Sequence, residues 1–447
     1  MEQPLKTPSA ARPFEVTNRR VLAIALPMTL AFLTTPLLGL VDTAVVGQFP
    51  DAALLGGLAS GAIVFDVVFT TFNFLRSGTT GLVAQAFGRE DAAEEQATFW
   101  RALAIAVVSG LALILLASPI AAAGTWFMNP EPRVATAMNT YIAIRMLAAP
   151  LSLTNYAVLG YVLGRGEGGL GLLLQLVLNG ANIVLSIYLG LVLGWGLEGV
   201  AWGTVGGELA GAVFGLTLVF SRFRRLPPVG LSRVFDVPAM SHMISINRDI
   251  MIRSFALLGA FALFTRQGAQ LGTVTLAANA VLMNFFLVSG YFLDGFAAAA
   301  EQLAGRALGA CHAPAFQRAV RLTVIWGFAL AFLATGIYLL FGEALIALIT
   351  TAPEVREAAE AFLPWAAFTA VSGVLAFQMD GVFIGATWSR DMRNMMLLSF
   401  VLYVASIFVL GAAFGNQGLW IALHIFLVAR GITLIAVLPR RARQAFG

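Results

Sequence analysis

The 447-residue sequence contains little charge, little histidine and almost no cysteine. Charged residues make up 11% of the chain, against about 25% in an ordinary soluble domain. The three histidines, His242, His312 and His424, lie far apart, and no HExxH, P-loop or GxSxG motif occurs. These absences argue against a metal hydrolase, an ATPase or another enzyme, so no metal or cofactor is expected. The single cysteine, Cys311, excludes an internal disulfide.

Hydrophobic residues, by contrast, make up 59% of the chain. They occur in runs of about 20 residues or more, the length that crosses a bilayer as a helix. Twelve transmembrane helices are predicted, at roughly 21–46, 53–83, 97–121, 134–160, 168–193, 197–220, 247–268, 274–305, 316–342, 354–384, 392–412 and 417–438. The predicted fold class is an all-α integral membrane protein. No cleavable signal peptide is expected, because the first run is too long for a signal-peptide core.

The arginines are distributed unevenly along this pattern. If the N-terminus is cytoplasmic, the outer loops carry only Arg133, Arg266 and Arg356. The inner loops and helix ends carry many more, namely Arg89, Arg101, Arg165, Arg222, Arg224, Arg225, Arg233, Arg248, Arg306, Arg318, Arg321, Arg390, Arg393, Arg440, Arg441 and Arg443. Because basic loops stay in the cytoplasm, both termini are predicted to be cytoplasmic. The protein is expected to be a multi-pass protein of the bacterial inner membrane.

One long polar interruption divides the chain into two halves of six predicted helices each. The predicted organisation is a cytoplasmic tail at 1–20, an N-lobe at 21–220, a cytoplasmic linker at 221–246, a C-lobe at 247–438 and a cytoplasmic tail at 439–447. Several residues recur 217 or 225 positions later: Gly78, Gln85, Gly88 and Arg89 as Gly295, Gln302, Gly305 and Arg306, and Gly160 and Arg165 as Gly385 and Arg390. An even number of helices per half gives parallel repeats that commonly enclose a transport pathway. The alternative is that Gly-Arg is simply frequent at cytoplasmic helix ends.

Asp42 is a lone acid within the first apolar run. An ionised carboxylate near the centre of a membrane helix costs roughly 2.5–3.5 kcal/mol, so this residue is predicted to face a proton, a substrate or water. Asn182 and Ser186 on the fifth segment and Thr204 on the sixth are predicted at similar depth, forming a hydrogen-bonded layer with Asp42. Uptake of one proton would make the buried anion a neutral donor. The alternative is an interfacial acid, since the helix ends about one turn later.

Pro27 lies on the same predicted helix and removes one backbone hydrogen bond, so it is predicted to act as a hinge. Other charges fall inside predicted helices, and several are expected to neutralise one another: Asp66, Arg76, Arg145, Glu208, Asp294, Glu301, Asp380 and Arg430. A substrate cavity is predicted from Asn155, Asn179, Asp294 and Asp380. The cluster Phe65, Phe69, Phe72 and Phe74 offers apolar contacts to flat organic cations, although most phenylalanines are expected to face lipid.

Several longer motifs resemble the DinF branch of the MATE (multidrug and toxic compound extrusion) transporters. They are Phe74–Leu82 with Ala84–Ala86, Asn247–Ile250, Ala277–Ala280, Leu293–Phe296 and Asp380–Gly385 with Arg390–Asn394. The resemblance covers nearly the whole chain. It implies a two-lobed fold of twelve helices and export of organic cations or other amphiphiles by proton or sodium antiport. It also implies that Asp42 is the proton site, that the first helix bends at Pro27, and that Asn182 and Thr204 are partners of Asp42.

The sequence departs from this family at one position in the layer. The family often has Asn-Ile-Val-Leu-Asp on the fifth helix, whereas this chain ends the same motif with Ser186. A second N-lobe carboxylate is therefore missing, which makes sodium binding by a carboxylate pair less favourable than proton coupling. A serine hydroxyl hydrogen-bonds either protonation state of Asp42.

The sequence thus predicts a monomeric secondary exporter with small amphiphilic or cationic substrates and no nucleic-acid partner. Two alternatives stay open. A lipid-intermediate flippase of the same broader superfamily would share the fold but would need a basic central cavity for its pyrophosphate substrate, and few arginines lie at mid-membrane. An ion-driven sensor or a membrane scaffold would bind a ligand without moving it, and flux into vesicles would separate these cases.

Overall fold

The computed structural model describes residues 12–447, which form helices and contain no strand. Residues 1–11, and with them most of the predicted tail 1–20, lie outside this range. The helices are α1 (Asn18–Leu33), α2 (Thr35–Val46), α3 (Ala52–Thr71), α4 (Phe74–Gly88), α5 (Ala92–Leu115), α6 (Ala117–Met128), α7 (Pro132–Leu147), α8 (Ala149–Gly164), α9 (Gly168–Ile187), α10 (Gly196–Phe223), α11 (Leu231–Val234), α12 (Val237–Gln270), α13 (Thr273–Gly309), α14 (Ala313–Ile349), α15 (Pro353–Gly385) and α16 (Ser389–Phe446). A short π-helix, Tyr188–Val192, follows α9.

The predicted apolar runs all fall on these helices, which confirms the all-α fold class. Within residues 12–447, nine helical stretches are long and apolar enough to cross a membrane, or ten if α7 and α8, bent by 52°, form one span. The two predicted segments 392–412 and 417–438 lie in α16, on either side of Gly415, whose φ of 55° and ψ of −130° interrupt the helix. The count of twelve spans and the cytoplasmic termini stay predictions.

The first apolar run is broken at Thr34, which separates α1 from α2. Pro36 lies in the first turn of α2, where a missing N–H costs no helical hydrogen bond. Pro27 lies inside α1, and the helix continues through it. The observed interruption therefore lies at Thr34, beyond the predicted hinge.

The chain forms two compact units, which divide it inside its first apolar run. One unit is Leu33–Asn247, here called the N-unit. The other, here called the C-unit, joins residues 12–32 to Arg248–Gly447. The sequence analysis placed all of residues 21–220 in one lobe, whereas this division groups α1 with the C-terminal half. Within the C-unit, Trp326 Nε1 donates to Asn18 Oδ1 of α1 at 3.1 Å, and Gly295 packs directly against Thr29 of α1.

The segment predicted as a linker is attached to the N-unit by Arg101. This buried side chain of α5 donates from Nη2 to the carbonyl oxygen of Arg233 at 2.6 Å and from Nε to that of Val234 at 2.9 Å. Its Nη1 also donates to Glu94 Oε1 at 2.7 Å. Arg101 therefore holds α11 against α5 by two hydrogen bonds, and its third hydrogen bond stays within α5.

Closely packed glycines occur in both units. In each, two glycines four residues apart on one helix meet backbone carbonyls four residues apart on another helix. The pairs are Gly160 with Arg76 and Gly164 with Thr80 in the N-unit, and Gly381 with Ala297 and Gly385 with Glu301 in the C-unit. Small residues at such spacing let membrane helices approach closely. Counterparts in the two units are 221 residues apart, one helical turn from the spacings of 217 and 225 seen in the sequence, and the recurrence supports a duplication.

We expect Gly385→Ala to destabilise the protein by about 1–3 kcal/mol, because its methyl group would overlap the carbonyl of Glu301 and force the helices apart. Thermal unfolding of the purified protein in detergent measures the effect. Gly336→Ala in α14 is the matched control, since among residues 12–447 no atom beyond its chain neighbours and its own helix backbone lies within 4 Å of the added Cβ. It should leave the unfolding temperature unchanged or raise it slightly. Equal shifts for the two variants would contradict close packing at Gly385.

Candidate functional site

Four predicted residues lie buried together in the N-unit. Asp42 on α2 is 7% exposed, Asn182 and Ser186 lie one turn apart on α9, and Thr204 lies on α10. Gly203, which precedes Thr204, packs directly on the backbone of Ser186. The absence of a side chain at Gly203 therefore lets α9 and α10 approach and brings their polar groups into one layer.

One side-chain hydrogen bond joins two members of this layer, Asn182 and Ser186, whereas Thr204 bonds to the backbone of its own helix. Ser186 Oγ donates to Asn182 Oδ1 at 3.0 Å, and Thr204 Oγ1 donates to the carbonyl oxygen of Val200 at 3.2 Å. Ser186 is also the hydroxyl that interacts with the Asp42 carboxyl. Within the described residues, Asp42 Oδ1 is nevertheless buried without a hydrogen-bond partner. A buried carboxylate oxygen in that position is costly when charged.

The helix break next to this layer is held by Asn179. Its Nδ2 donates to Thr34 Oγ1 at 2.5 Å, and it lies on the same helix as Asn182. The sequence analysis placed Asn179 in a substrate cavity. In the structure its amide ties α9 to the point where α2 begins, so movement of α2 would strain this hydrogen bond.

Arg145 supplies the positive charge of the N-unit site. Its charge acts on three acids carried by different helices, namely Asp42, Asp66 and Glu208. Its Nη1 donates to the Tyr141 hydroxyl at 2.5 Å. The sequence analysis noted Arg145 as a charge within a predicted helix but gave it no role, because these partners lie far from it along the chain.

Asn155, another predicted cavity residue, also lies in the N-unit. Its Nδ2 donates to Glu208 Oε2 at 2.7 Å and to the Glu208 carbonyl oxygen at 3.0 Å. Within residues 12–447, no group of three or more histidine, cysteine, aspartate or glutamate side chains has an arrangement that could hold a metal ion.

The acid predicted for a C-lobe cavity, Asp380, is buried in an ion-pair cluster. Its Oδ2 accepts a hydrogen bond from Arg430 Nη2 at 2.6 Å and another from Arg253 Nη2. Arg430 is buried as well, and the charge of the exposed Asp294 also acts on it. Asp380 is therefore neutralised by two guanidinium groups. The sequence analysis did not single out Arg253, because its pairing with Asp380 depends on tertiary packing.

Comparison with known proteins agrees with this helical arrangement. The sequence model of the MatE family matches residues 27–188 and 250–409, one block in each half of the chain. The chain belongs to the MatE family. DNA damage-inducible protein F of Escherichia coli (strain K12) is 36% identical over 430 residues, covering 96% of this chain and 93% of that protein. The predicted resemblance to the DinF branch of the MATE transporters is confirmed.

Two more distant proteins are similar over nearly the whole chain. A probable multidrug resistance protein NorM of Rhizobium meliloti (strain 1021) is 24% identical over 445 residues, covering 93% of this chain and 92% of its own. A solved structure described as the outward-facing conformation of a multidrug resistance MATE family transporter of the MOP superfamily matches with a TM-score of 0.87 and 16% identity, covering 96% of each chain. At that identity the structural match shows the fold alone.

We expect Asp380→Asn to lower the free energy of unfolding by roughly 3–5 kcal/mol, because it would leave the buried guanidinium of Arg430 and the partly buried one of Arg253 without their anion. Chemical or thermal unfolding of the purified protein measures this loss. Asp391→Asn is the matched control, since Asp391 pairs with Arg441 at 2.7 Å nearer the surface, where an ion pair contributes about 0–1 kcal/mol. If both variants were equally stable, the buried cluster would not be structural.

Proposed function

We propose that this MatE protein exports small organic cations and other amphiphiles across the bacterial inner membrane, and that a proton carried by Asp42 drives each cycle. The family membership and the multidrug resistance names of its relatives support export of such compounds. The apolar helices support a multi-pass membrane location. The protein is proposed to work as a monomer, since one chain contains both halves of the repeat.

One observation carries the assignment to Asp42. Its Oδ1 is buried and has no hydrogen-bond partner within the described residues, while Ser186 interacts with the same carboxyl. A proton on this carboxyl removes the charge that burial disfavours and supplies a new donor. Protonation and binding of a cation then become alternatives at one acid, which is the requirement for exchange of one against the other.

Movement is proposed to follow from the position of Asp42 on a short helix. Asp42 lies on α2, which is separated from α1 at Thr34. A change in the hydrogen bonds of Asp42 therefore acts on a twelve-residue helix that can reorient without unfolding α1. Pro27 remains the predicted hinge within α1, and the break at Thr34 is a second point at which the first span can bend.

Proton coupling is favoured over sodium coupling by the composition of the layer. Asp42 is its only carboxylate among the residues that the structure describes there, because Ser186 takes the position where the family often has aspartate. A sodium ion prefers several oxygen ligands with negative charge nearby, whereas a proton needs one. The flippase alternative, which needs a basic central cavity, is not favoured. In the N-unit the charge of Arg145 acts on three acids, and in the C-unit Arg253 and Arg430 are paired with Asp380.

The experiment is accumulation of a fluorescent lipophilic cation in everted membrane vesicles, with proton and sodium gradients imposed separately. A proton gradient alone should drive uptake, and Asp42→Asn should abolish that uptake at normal expression, since the amide cannot exchange a proton. Asp51→Asn is the matched control, because Asp51 caps α3 at its N-terminus and asparagine caps equally well. Unimpaired uptake by Asp42→Asn would rule out this role, and uptake driven only by sodium would overturn proton coupling.

A further inference from the structure

The guanidinium group of Arg145, which is itself a flat organic cation, lies over the ring of Phe65 in the N-unit. The guanidinium carbon of Arg145 lies 3.8 Å from the centroid of the Phe65 ring. Phe65 in turn stacks on Phe69, with 3.9 Å between ring centroids and 14° between their planes. The guanidinium therefore covers one end of an aromatic stack, in the contact that a planar organic cation would make.

The electrostatic surroundings of this guanidinium are those that an organic cation requires. Its charge acts on Asp42, Asp66 and Glu208, yet within the described residues none of these three forms a direct ion pair with it. Its short hydrogen bond goes to the neutral Tyr141 hydroxyl. The guanidinium is therefore attracted by the acids without being bound to any one of them, unlike Arg430, which is fixed on Asp380.

The position of Arg145 at the end of a helix also allows its side chain to leave the Phe65 ring. Arg145 lies in the last turn of α7, just before Ala148, at which α7 and α8 are bent by 52°. A cation at a helix C-terminus is favoured by the helix dipole. The side chain can thus leave the Phe65 ring and remain stabilised at the end of its own helix.

We propose that the Phe65 ring and its surrounding acids form a binding site for planar organic cations, and that Arg145 occupies this site until such a cation displaces it. The inference rests on the proposed function only in taking the displacing cation to be a transport substrate. Exchange of one cation for another keeps the charge around the acids nearly constant, so neither step exposes a bare anion to the membrane interior. Arg145 is then an internal competitor that sets the affinity and shape preference of the site.

The test compares two monovalent cations binding to the purified full-length protein in detergent, followed by calorimetry. Ethidium is planar and can approach the ring closely, whereas the butyl chains of tetrabutylammonium keep its charge away from any ring face. Arg145→Met should tighten ethidium binding on the order of tenfold, the equivalent of about 1.4 kcal/mol within the range of a cation–π contact. Tetrabutylammonium should change much less. Arg133→Met, at an exposed arginine paired with Asp51, should change neither.

A second comparison distinguishes two causes of tighter ethidium binding: a Phe65 ring that Arg145 no longer covers, and the loss of a positive charge near the site. Loss of a positive charge would attract both probes equally, so the ratio of their affinities is the deciding quantity. Arg145→Lys keeps the charge but cannot stack flat, and it should still raise the ratio in favour of ethidium. In Phe65→Leu, the further change Arg145→Met should no longer raise the ratio. Free guanidinium ion should displace ethidium from Arg145→Met at lower concentrations than from the parent protein, where the side chain of Arg145 competes with it as well.

Equal changes for the two probes, or weaker ethidium binding in both Arg145 variants, would overturn the proposal. These measurements use no gradient, so their outcome is independent of proton coupling. Lost coupling in Asp42→Asn combined with an unchanged affinity ratio in the Arg145 variants would refute this site and leave the proposed function intact. The reverse pattern would refute proton coupling and leave the site intact.

Discussion

The cost of burying charge in a membrane is the constraint on which this structure depends. Water is absent there, so each buried charge needs a partner or must be neutral. In the C-unit, Asp380 meets this requirement permanently, because two guanidinium groups donate to one of its oxygens. In the N-unit, Asp42 keeps one buried oxygen without a hydrogen-bond partner among the described residues. The C-unit thus holds a buried ion-pair cluster, and the N-unit holds the acid at which we propose that a proton and a cation exchange.

Closely packed helices and interrupted helices contribute differently to the two units. Paired glycines let α4 meet α8, and α13 meet α15, with backbone against backbone, which fixes the scaffold of each unit. The interruptions at Thr34 and Ala148 lie beside the charged groups of the N-unit. A helix that is broken near a charged residue can reorient when the partner of that residue changes, while the tightly packed helices stay in place.

The sequence predicted the helical segments well because a bilayer requires long apolar runs, and these are visible without any tertiary information. It also placed Asp42 near Asn182 and Ser186, which are one helical turn apart and buried in the N-unit, while the role of these residues in proton coupling stays a prediction. The position of the break was not predicted, because Pro27 and Pro36 are equally conspicuous and only the latter lies in the first turn of a new helix. The roles of Arg145 and Arg253 were beyond sequence reasoning, because their partners come from distant segments.

The central claim is that Asp42 exchanges its proton for a cationic substrate. The most direct measurement is proton release on substrate binding, followed with a pH indicator in weakly buffered solutions of the purified protein. The account predicts that saturating substrate releases protons from the parent protein near the pH at which Asp42 is protonated, and that Asp42→Asn binds substrate with no such release. Equal release by the two proteins, or binding by the parent protein without release at any pH, would contradict it.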